Sequence, residues 1–367
     1  MADVRNVEAL QGRQSLQFVE NCVKSSASSS REKCEECFSL YDVDSDGYLS
    51  RDEFLNLCKD VFVKCNEDEQ SLTTLVDHML KLLDTDQDGR LSKEEFKICW
   101  CYWLKQVLEP VSALVIVDVQ NDFLEGSLSL SQCPAGQCGL PVIPVINNML
   151  DNVQFDVVVY SKDWHPKDHI SFLENVNIRP LHPSSKVKSE EAKPFDTVVF
   201  DTSPLTEQVL WPAHCIQGSW GAELHKNLKV VDNGYVVNKG TSPHVDSYSA
   251  FWDNNKLSQT ELVQLLSKLR VTDVYVCGLA YDICVGFTAR HAIDHGFRTV
   301  LVEDACRGVD LENIEKTRFE LRKKGAVVVQ SDQVGDMVDG KLRAAELGVQ
   351  AAVNVNVALK LLKTGRV

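Results

Sequence analysis

Among the 367 residues no apolar run approaches the roughly 18 that a membrane-spanning helix needs. The opening "MADVRNVEALQGRQ" has no apolar h-region, which argues against a secretory leader. Positive charge is scarce: 38 Lys and Arg stand against 53 Asp and Glu, a net charge of −15. That balance argues against nucleic acid as the main partner, and nothing points to a membrane. Cysteine is plentiful by contrast. The chain has 13 cysteines, an odd number at irregular spacing, and without export they make no disulfide framework. A cytoplasmic location with reduced thiols is expected, with the nucleus as the alternative.

A chain of this length can hold two or three domains and a substantial core. The acidity is uneven, since residues 1–109 carry 13 basic and 22 acidic side chains. Residues 3–23 have the spacing of a short amphipathic helix (Val7, Leu10, Leu16, Val19), and "SSASSS" at 25–30 reads as a flexible linker. Helical runs then alternate with two acidic, glycine-containing loops as far as Glu109-Pro110. The residue before a proline disfavours helical backbone, so the last helix ends there. The boundaries are therefore 1–30, 31–109 and 110–367.

Beyond Pro110 the pattern changes. "SALVIVD" (112–118), "DVVVYS" (156–161), "YVVN" (235–238), "DVYVCG" (273–278), "TVLVED" (299–304) and "AVVV" (326–329) are apolar, β-branched runs. Helical patterns at 259–269, 283–295 and 312–324 fall between the later ones. Continuous apolar strands alternating with helices predict an α/β domain: three-layer, doubly wound, on a mainly parallel six-stranded sheet. A small all-α domain precedes it. Ligands in such a sheet sit beyond the carboxyl ends of the strands. The long segment 171–234 reads as an excursion over that face, and 337–363 as a helical, apolar tail with no assigned role.

The first chemical signal lies in the two acidic loops, "DVDSDGYLSRDE" (42–53) and "DTDQDGRLSKEE" (84–95). Each has acids at positions 1, 3 and 5, glycine at 6 and glutamate at 12. Calcium takes six to eight oxygens in a flexible arrangement, and this pattern supplies them. In the first loop they are Asp42, Asp44, Asp46, the Tyr48 carbonyl, Ser50 through water, and bidentate Glu53. In the second they are Asp84, Asp86, Asp88, the Arg90 carbonyl, Ser92 and Glu95. Gly47 and Gly89 permit the sharp turn, and Leu49 and Leu91 stand where paired loops touch. Two complete matches 42 residues apart resemble an EF-hand pair. Cys34 and Cys37 are spaced C-x2-C, but no second pair stands at zinc-finger spacing, so packing is their expected role.

Three residues of the larger domain stand at strand ends: Asp118 in "VIVDVQNDF", Lys239 in "VVNKG" and Cys284 in "GLAYDIC". Singly, each reads as a cap, a solvated lysine or a core thiol. Together they form a cysteine–aspartate–lysine set able to carry out nucleophilic catalysis. A free thiol titrates near 8.5, so a nucleophile needs help. A helix start at Cys284 and a nearby ammonium would favour the thiolate. A carboxylate would take the proton and return it to a leaving amine.

The motifs "VDVQNDF", "SKDWHPKDHISF", "LWPAHCIQGSWGAEL", "NKGTSPHVDSYSAF" and "GLAYDICVGFTA" resemble the isochorismatase-like cysteine hydrolases, and among them the nicotinamidases, over residues 112–335. The resemblance implies Asp118 as general base, Lys239 as its partner and Cys284 as nucleophile. It implies an oxyanion hole from the amides of Ala280 and Cys284, and a cis peptide at Leu279–Ala280. It further implies a catalytic metal on Asp163, His165 and His214, with zinc the first choice and iron or manganese the alternatives. An extended Asp-x-His spacing points both side chains one way, and two histidines with one carboxylate leave positions open. His169 and His225 are rival ligands. His78, His182, His244, His291 and His295 are expected to be structural or exposed. Phe123, Trp164 and Tyr248 would wall a flat ring such as nicotinamide. Cys133 and Cys138 have no assigned role, and a homo-oligomer is compatible with the sequence.

The leading expectation is thus a metal-dependent nicotinamidase in NAD salvage, with a calcium-binding module in front. One rival is a hydrolase of another small amide, such as a carbamoyl compound, for which a metal aimed at a ring nitrogen has little use. Another is a calcium sensor or scaffold on an inactive hydrolase, against which the intact Asp118, Lys239 and Cys284 argue. Isochorismatase-type ether hydrolysis does not require the cysteine. Calcium coupling to activity would run through the exit helix, where Trp100 and Trp103 are placed to dock on the hydrolase. A purely stabilising or localising module is the equal alternative.

Overall fold

The computed structural model describes residues 30–62 and 69–364. The expected helix over 3–23 and nearly all of the serine-rich stretch lie outside those residues. The chain divides into two compact units. One contains the described residues up to Pro110 and those from Asp336 onward, and the other is Val111–Gly335.

In the first unit, helices α1 (Ser30–Tyr41), α2 (Arg51–Val61), α3 (Glu69–Leu83) and α4 (Lys93–Cys99) flank the two acidic loops. Ser50 and Ser92 each cap the following helix, and Glu53 and Glu95 reach back to complete a capping box. Leu49 pairs with Leu91 across a short antiparallel bridge. Cys34 and Cys37 lie in the apolar core, as expected of packing residues.

The tail departs from expectation. The boundary at 110 gave it to the hydrolase, but the helix Ala345–Lys363 belongs to this first unit. Its small, apolar face (Ala345, Ala351, Ala352, Val355) enters the same core as Phe62, Met79 and Trp103. The indole of Trp103 donates to the Gly348 carbonyl at 2.9 Å, and the Asn356 amide donates to Leu82 at 2.6 Å, just ahead of the second loop. Trp100 and Trp103, expected to dock on the hydrolase, are therefore core residues of the loop-bearing unit. A Cβ at Gly348 would lie 2.2 Å from the Phe62 ring and 3.1 Å from the Met79 sulfur. Gly348→Ala is expected to cost about 1–3 kcal/mol through overpacking. Calorimetry should show an earlier transition for this unit, and an unchanged one would contradict the packing.

The second unit is built on a six-stranded sheet flanked by helices. Its strands are β1 (Ser112–Val117), β2 (Val157–Asp163), β3 (Tyr235–Lys239), β4 (Asp273–Leu279), β5 (Arg298–Arg307) and β6 (Val327–Val329). Every neighbouring pair is parallel. The spatial order is β3-β2-β1-β4-β5-β6. β1 and β4 are buried along their whole length, which is why their sequences are continuous apolar runs. The strand order reverses between β1 and β4, and a doubly wound sheet opens its ligand crevice at that switch point. Helices α5 (Asn121–Leu124) and α6 (Val142–Asn152) follow β1, α7 (Leu262–Lys268) precedes β4, and α8 (Gly286–Asp294) and α9 (Leu311–Lys323) follow β4 and β5. The excursion between β2 and β3 carries its own hairpin, Thr197–Phe200 with Thr206–Val209, and a small apolar cluster around Ile170, Val198 and Phe200.

Candidate functional site

Three strand ends meet at the switch point. Asp118 follows β1 with a left-handed φ of +49° and is fully buried. Its Oδ1 accepts the Ser161 hydroxyl at 2.6 Å, and its Oδ2 lies 2.9 Å from the Lys239 ammonium. Lys239, the last residue of β3, also donates to Asp163 Oδ1 at 2.5 Å and to the Ser247 carbonyl at 2.9 Å, and it stands 3.3 Å from Cys284 Sγ. One buried ammonium thus faces two carboxylates, a carbonyl and the thiol. The ligand atoms of Asp118, Asp163 and Cys284 lie within 4.8 Å of one another.

Burial pushes the Asp118 carboxyl up to about 6, because Lys239 offsets only part of the loss of water. Burial also drives the Cys284 thiol well up. Lys239 pulls it back in part, and the two carboxylates push it further. The net direction is toward the protonated thiol, so the pull of the helix start and of Lys239 toward the thiolate is outweighed by burial and the carboxylates. Cys284 lies inside a π-helical turn, Tyr281–Val285, ahead of α8, and the peptide Leu279–Ala280 is cis.

Asp163 ends β2 and faces two histidines. His165 Nε2 is 3.6 Å from Asp163 Oδ2, and His214 Nε2 is 4.0 Å from it. Each histidine turns its Nδ1 to a backbone carbonyl, His165 to Gly240 and His214 to Pro212, both at 2.8 Å. A carbonyl can only accept, so Nδ1 carries a proton in each ring, and Nε2, the atom that faces Asp163, is the one left to ligate a metal. Burial and the neighbouring His165 hold His214 down to about 4, in its neutral form. Asp163 stays well below the ordinary carboxylate range: burial pushes it up, but Lys239 and then His165 outweigh that. Two imidazoles and one carboxylate, all within 4.8 Å of one another, suit a divalent metal with open positions.

The rival histidines separate. His225 faces Glu125 at 3.3 Å. His169 stacks on His165 with centroids 3.9 Å apart, and its buried Nε2 has no hydrogen-bond partner. The pocket over Cys284 is lined by Phe123 and Tyr248, as expected, and also by Trp211, Ile283, Ala280 and Asp246. Trp164 is not among the lining residues; the Lys162 ammonium sits 4.7 Å over its ring. Trp211, Asp246 and the Ser161 hydroxyl were missed from the sequence. All three stood inside quoted motifs: Ser161 in "SKDWHPKDHISF", Trp211 in "LWPAHCIQGSWGAEL" and Asp246 in "NKGTSPHVDSYSAF".

The model of the Isochorismatase domain matches residues 112–333. The chain belongs to the isochorismatase family. Residues 31–100 match the EF-hand domain pair. A nicotinamidase of Acinetobacter baylyi is 37% identical over 199 residues, covering 54% of this chain and 82% of that protein. The nicotinamidase pyrazinamidase structure from Acinetobacter baumanii is 38% identical with a TM-score of 0.52, covering 62% of this chain and 99% of its own. The yeast nicotinamidase bound to the inhibitor nicotinaldehyde is 29% identical with a TM-score of 0.51, covering 60% and 99%.

The EF-hand pair that accompanies this isochorismatase domain has preformed loops. Gly47 and Gly89 take φ of +86° and +87°, which only glycine adopts at little cost. Their amides donate to Asp42 at 3.2 Å and to Asp84 at 2.8 Å. Asp42, Asp44 and Glu53 bring ligand oxygens within 4.8 Å of one another, as do Asp84, Asp86 and Glu95. The hydroxyls of Ser50 and Ser92 are engaged with Glu53 and Glu95. Arg90 reaches from the second loop to Asp46 of the first at 3.2 Å.

Proposed function

We propose that the chain is a nicotinamidase, hydrolysing nicotinamide to nicotinate and ammonia for NAD salvage. The observation that carries the reading is a buried Asp118–Lys239 pair set against Cys284, in a pocket that Cys284 lines together with Asp163, His165 and His214. The nicotinamidase relatives match across this whole domain.

The carboxamide lies over Cys284. Asp118 takes the thiol proton as sulfur bonds to the carbonyl carbon, and Lys239 holds the carboxylate and the developing thiolate in one field. The oxygen gains the negative charge, which the amides of Ala280 and Cys284 receive. Collapse breaks the carbon–nitrogen bond, and Asp118 returns the proton to the departing ammonia. Water, deprotonated by Asp118, then attacks the thioester and releases nicotinate and the thiol. Asp163, His165 and His214 would hold a divalent metal, zinc first and iron or manganese otherwise, which supplies an electron-pair acceptor for the pyridine nitrogen. Phe123 and Tyr248 wall the ring. The two EF-hand loops bind calcium. A reducing, cytoplasmic setting suits a reaction that needs a free thiol, and among the described residues no helix is long and apolar enough to cross a membrane.

The test is ammonia release from nicotinamide by the metal-loaded protein; its absence would sink the reading. The base must be ionised to accept a proton, and Asp118 is raised to about 6. Activity should therefore fall as pH drops through about 6, with kcat/KM losing tenfold per unit below it. A profile flat down to pH 4.5 would remove Asp118 from the role.

A further inference from the structure

The motif "VDVQNDF" has so far supplied only Asp118 and Phe123. Of its three other buried polar side chains, Gln120 and Asp122 hold the backbone that carries the metal-facing residues. Gln120 is fully buried. Its amide oxygen accepts from the Asp163 N–H at 2.8 Å, and its amide nitrogen donates to the Asp163 carbonyl at 2.8 Å and to Ala222 at 2.9 Å. A single side chain thus pins both polar groups of one metal-facing residue.

Asp122 does the same for the other side of the set. Its Oδ2 accepts the Cys215 N–H at 2.7 Å, one residue after His214, and its Oδ1 accepts the Ser127 N–H at 3.0 Å. The Ser127 hydroxyl then donates to the Ala213 carbonyl at 2.7 Å, one residue before His214. His214 is therefore gripped on both flanks by one turn. Cys215 sits at a left-handed φ of +46°, a conformation that its surroundings must hold. Gly221 closes over the carboxylate: a Cβ there would lie 1.9 Å from Asp122 Oδ2. No other use of Asp122 is needed, since it lines no part of the pocket.

We infer that Gln120 and Asp122 are positioning residues for the metal centre. Through them the turn that leaves the base also sets the spacing of Asp163 and His214. The base and the metal are then built on one ten-residue stretch, Asp118–Ser127. This rests on reading Asp163, His165 and His214 as a metal set, and it concerns metal affinity rather than the chemical step.

Asp122→Asn is the discriminating variant. A carboxylate accepts from both Cys215 and Ser127, whereas an amide has one accepting oxygen and must turn an N–H toward an N–H. Groups that orient metal ligands are typically worth 10–100-fold in affinity. The expected result is a Kd for Zn²⁺, measured by chelator competition, weakened about 10–100-fold, with an altered visible spectrum of the Co²⁺ form. Excess metal should restore kcat, and the alkylation rate of Cys284 should be unchanged. Ser127→Ala, at an exposed position, should weaken Zn²⁺ about 3–10-fold in a folded protein, and it decides the matter if Asp122→Asn does not fold. Wild-type Zn²⁺ affinity in the folded variants overturns the inference. So does lost activity that excess metal leaves unrescued. The Zn²⁺ affinity, the Co²⁺ spectrum and the alkylation rate need no substrate, so they stand or fall apart from the nicotinamidase assay.

Discussion

Cys284→Ala should abolish turnover of nicotinamide while leaving the protein folded and able to bind the substrate. Removing a nucleophile that acts as a unit with its base costs about 10⁴–10⁶-fold in kcat, since the partners have nothing left to activate. The fold should tolerate the change. Only a sulfur is lost from a small buried side chain, and Lys239 keeps Asp118, Asp163 and the Ser247 carbonyl as partners. None of the metal-facing groups is touched. Ammonia release and calorimetric binding of nicotinamide, measured on the same metal-loaded sample, separate the two effects. Residual activity above about 1% of the wild type would remove Cys284 from the mechanism. Cys215, the nearest rival in sequence to a metal-facing histidine, cannot take over. It is fully buried, its thiol is driven well up by burial, and it does not line the pocket.

The features legible in the sequence are those whose physics is local. The EF-hand loops are twelve contiguous residues, so their acidic side chains, their glycines and the Leu49–Leu91 bridge could be named from spacing alone. The strands announced themselves as apolar runs, continuous where the strand is buried on both faces as β1 and β4 are, and the boundaries fell within a few residues. Strand-end positions placed Asp118, Lys239 and Cys284 on one edge of the sheet. What could not be read was how individual side chains turn and meet once the chain has folded. Trp211 enters the pocket from the long excursion, whereas Trp164, chosen for its motif, turns aside under Lys162. For Cys284 the sequence showed only the two features that favour a thiolate, a helix start and a nearby lysine. Burial, invisible in sequence, outweighs both. The tail was assigned by proximity in sequence, and only the packing of Gly348 against Phe62 and Met79 reveals its partner.

Lys239→Met carries the second large effect, on stability and activity together. Methionine fills the same space without charge, leaving two buried carboxylates without their cation. Breaking a buried ionic group by removing one member typically costs about 3–5 kcal/mol. The cost should depend on pH in a defined direction. In the wild type, burial already raises Asp118 to about 6 while Lys239 pulls it down. Without the ammonium, burial and the charge of Asp163 act unopposed, and the carboxyl moves further up. A carboxyl whose folded pKa exceeds its unfolded value binds a proton on folding. Its destabilisation therefore grows as pH rises toward the folded pKa and levels off above it. Lys239 itself, held well above its ordinary range by its anionic neighbours despite burial, stays charged throughout the window. The variant's deficit relative to wild type should thus be larger at pH 8 than at pH 5. Denaturant titrations of the metal-loaded proteins at both pH values measure it, and the loaded metal keeps Asp163 ionised. Activity should fall about 10²–10⁴-fold at pH 7, the range expected when a general base is protonated. Its acid limb should move to higher pH, so that part of the loss returns under alkaline conditions. An equal loss of stability at both pH values would show that Lys239 acts by packing alone and not by holding Asp118 in its charged form.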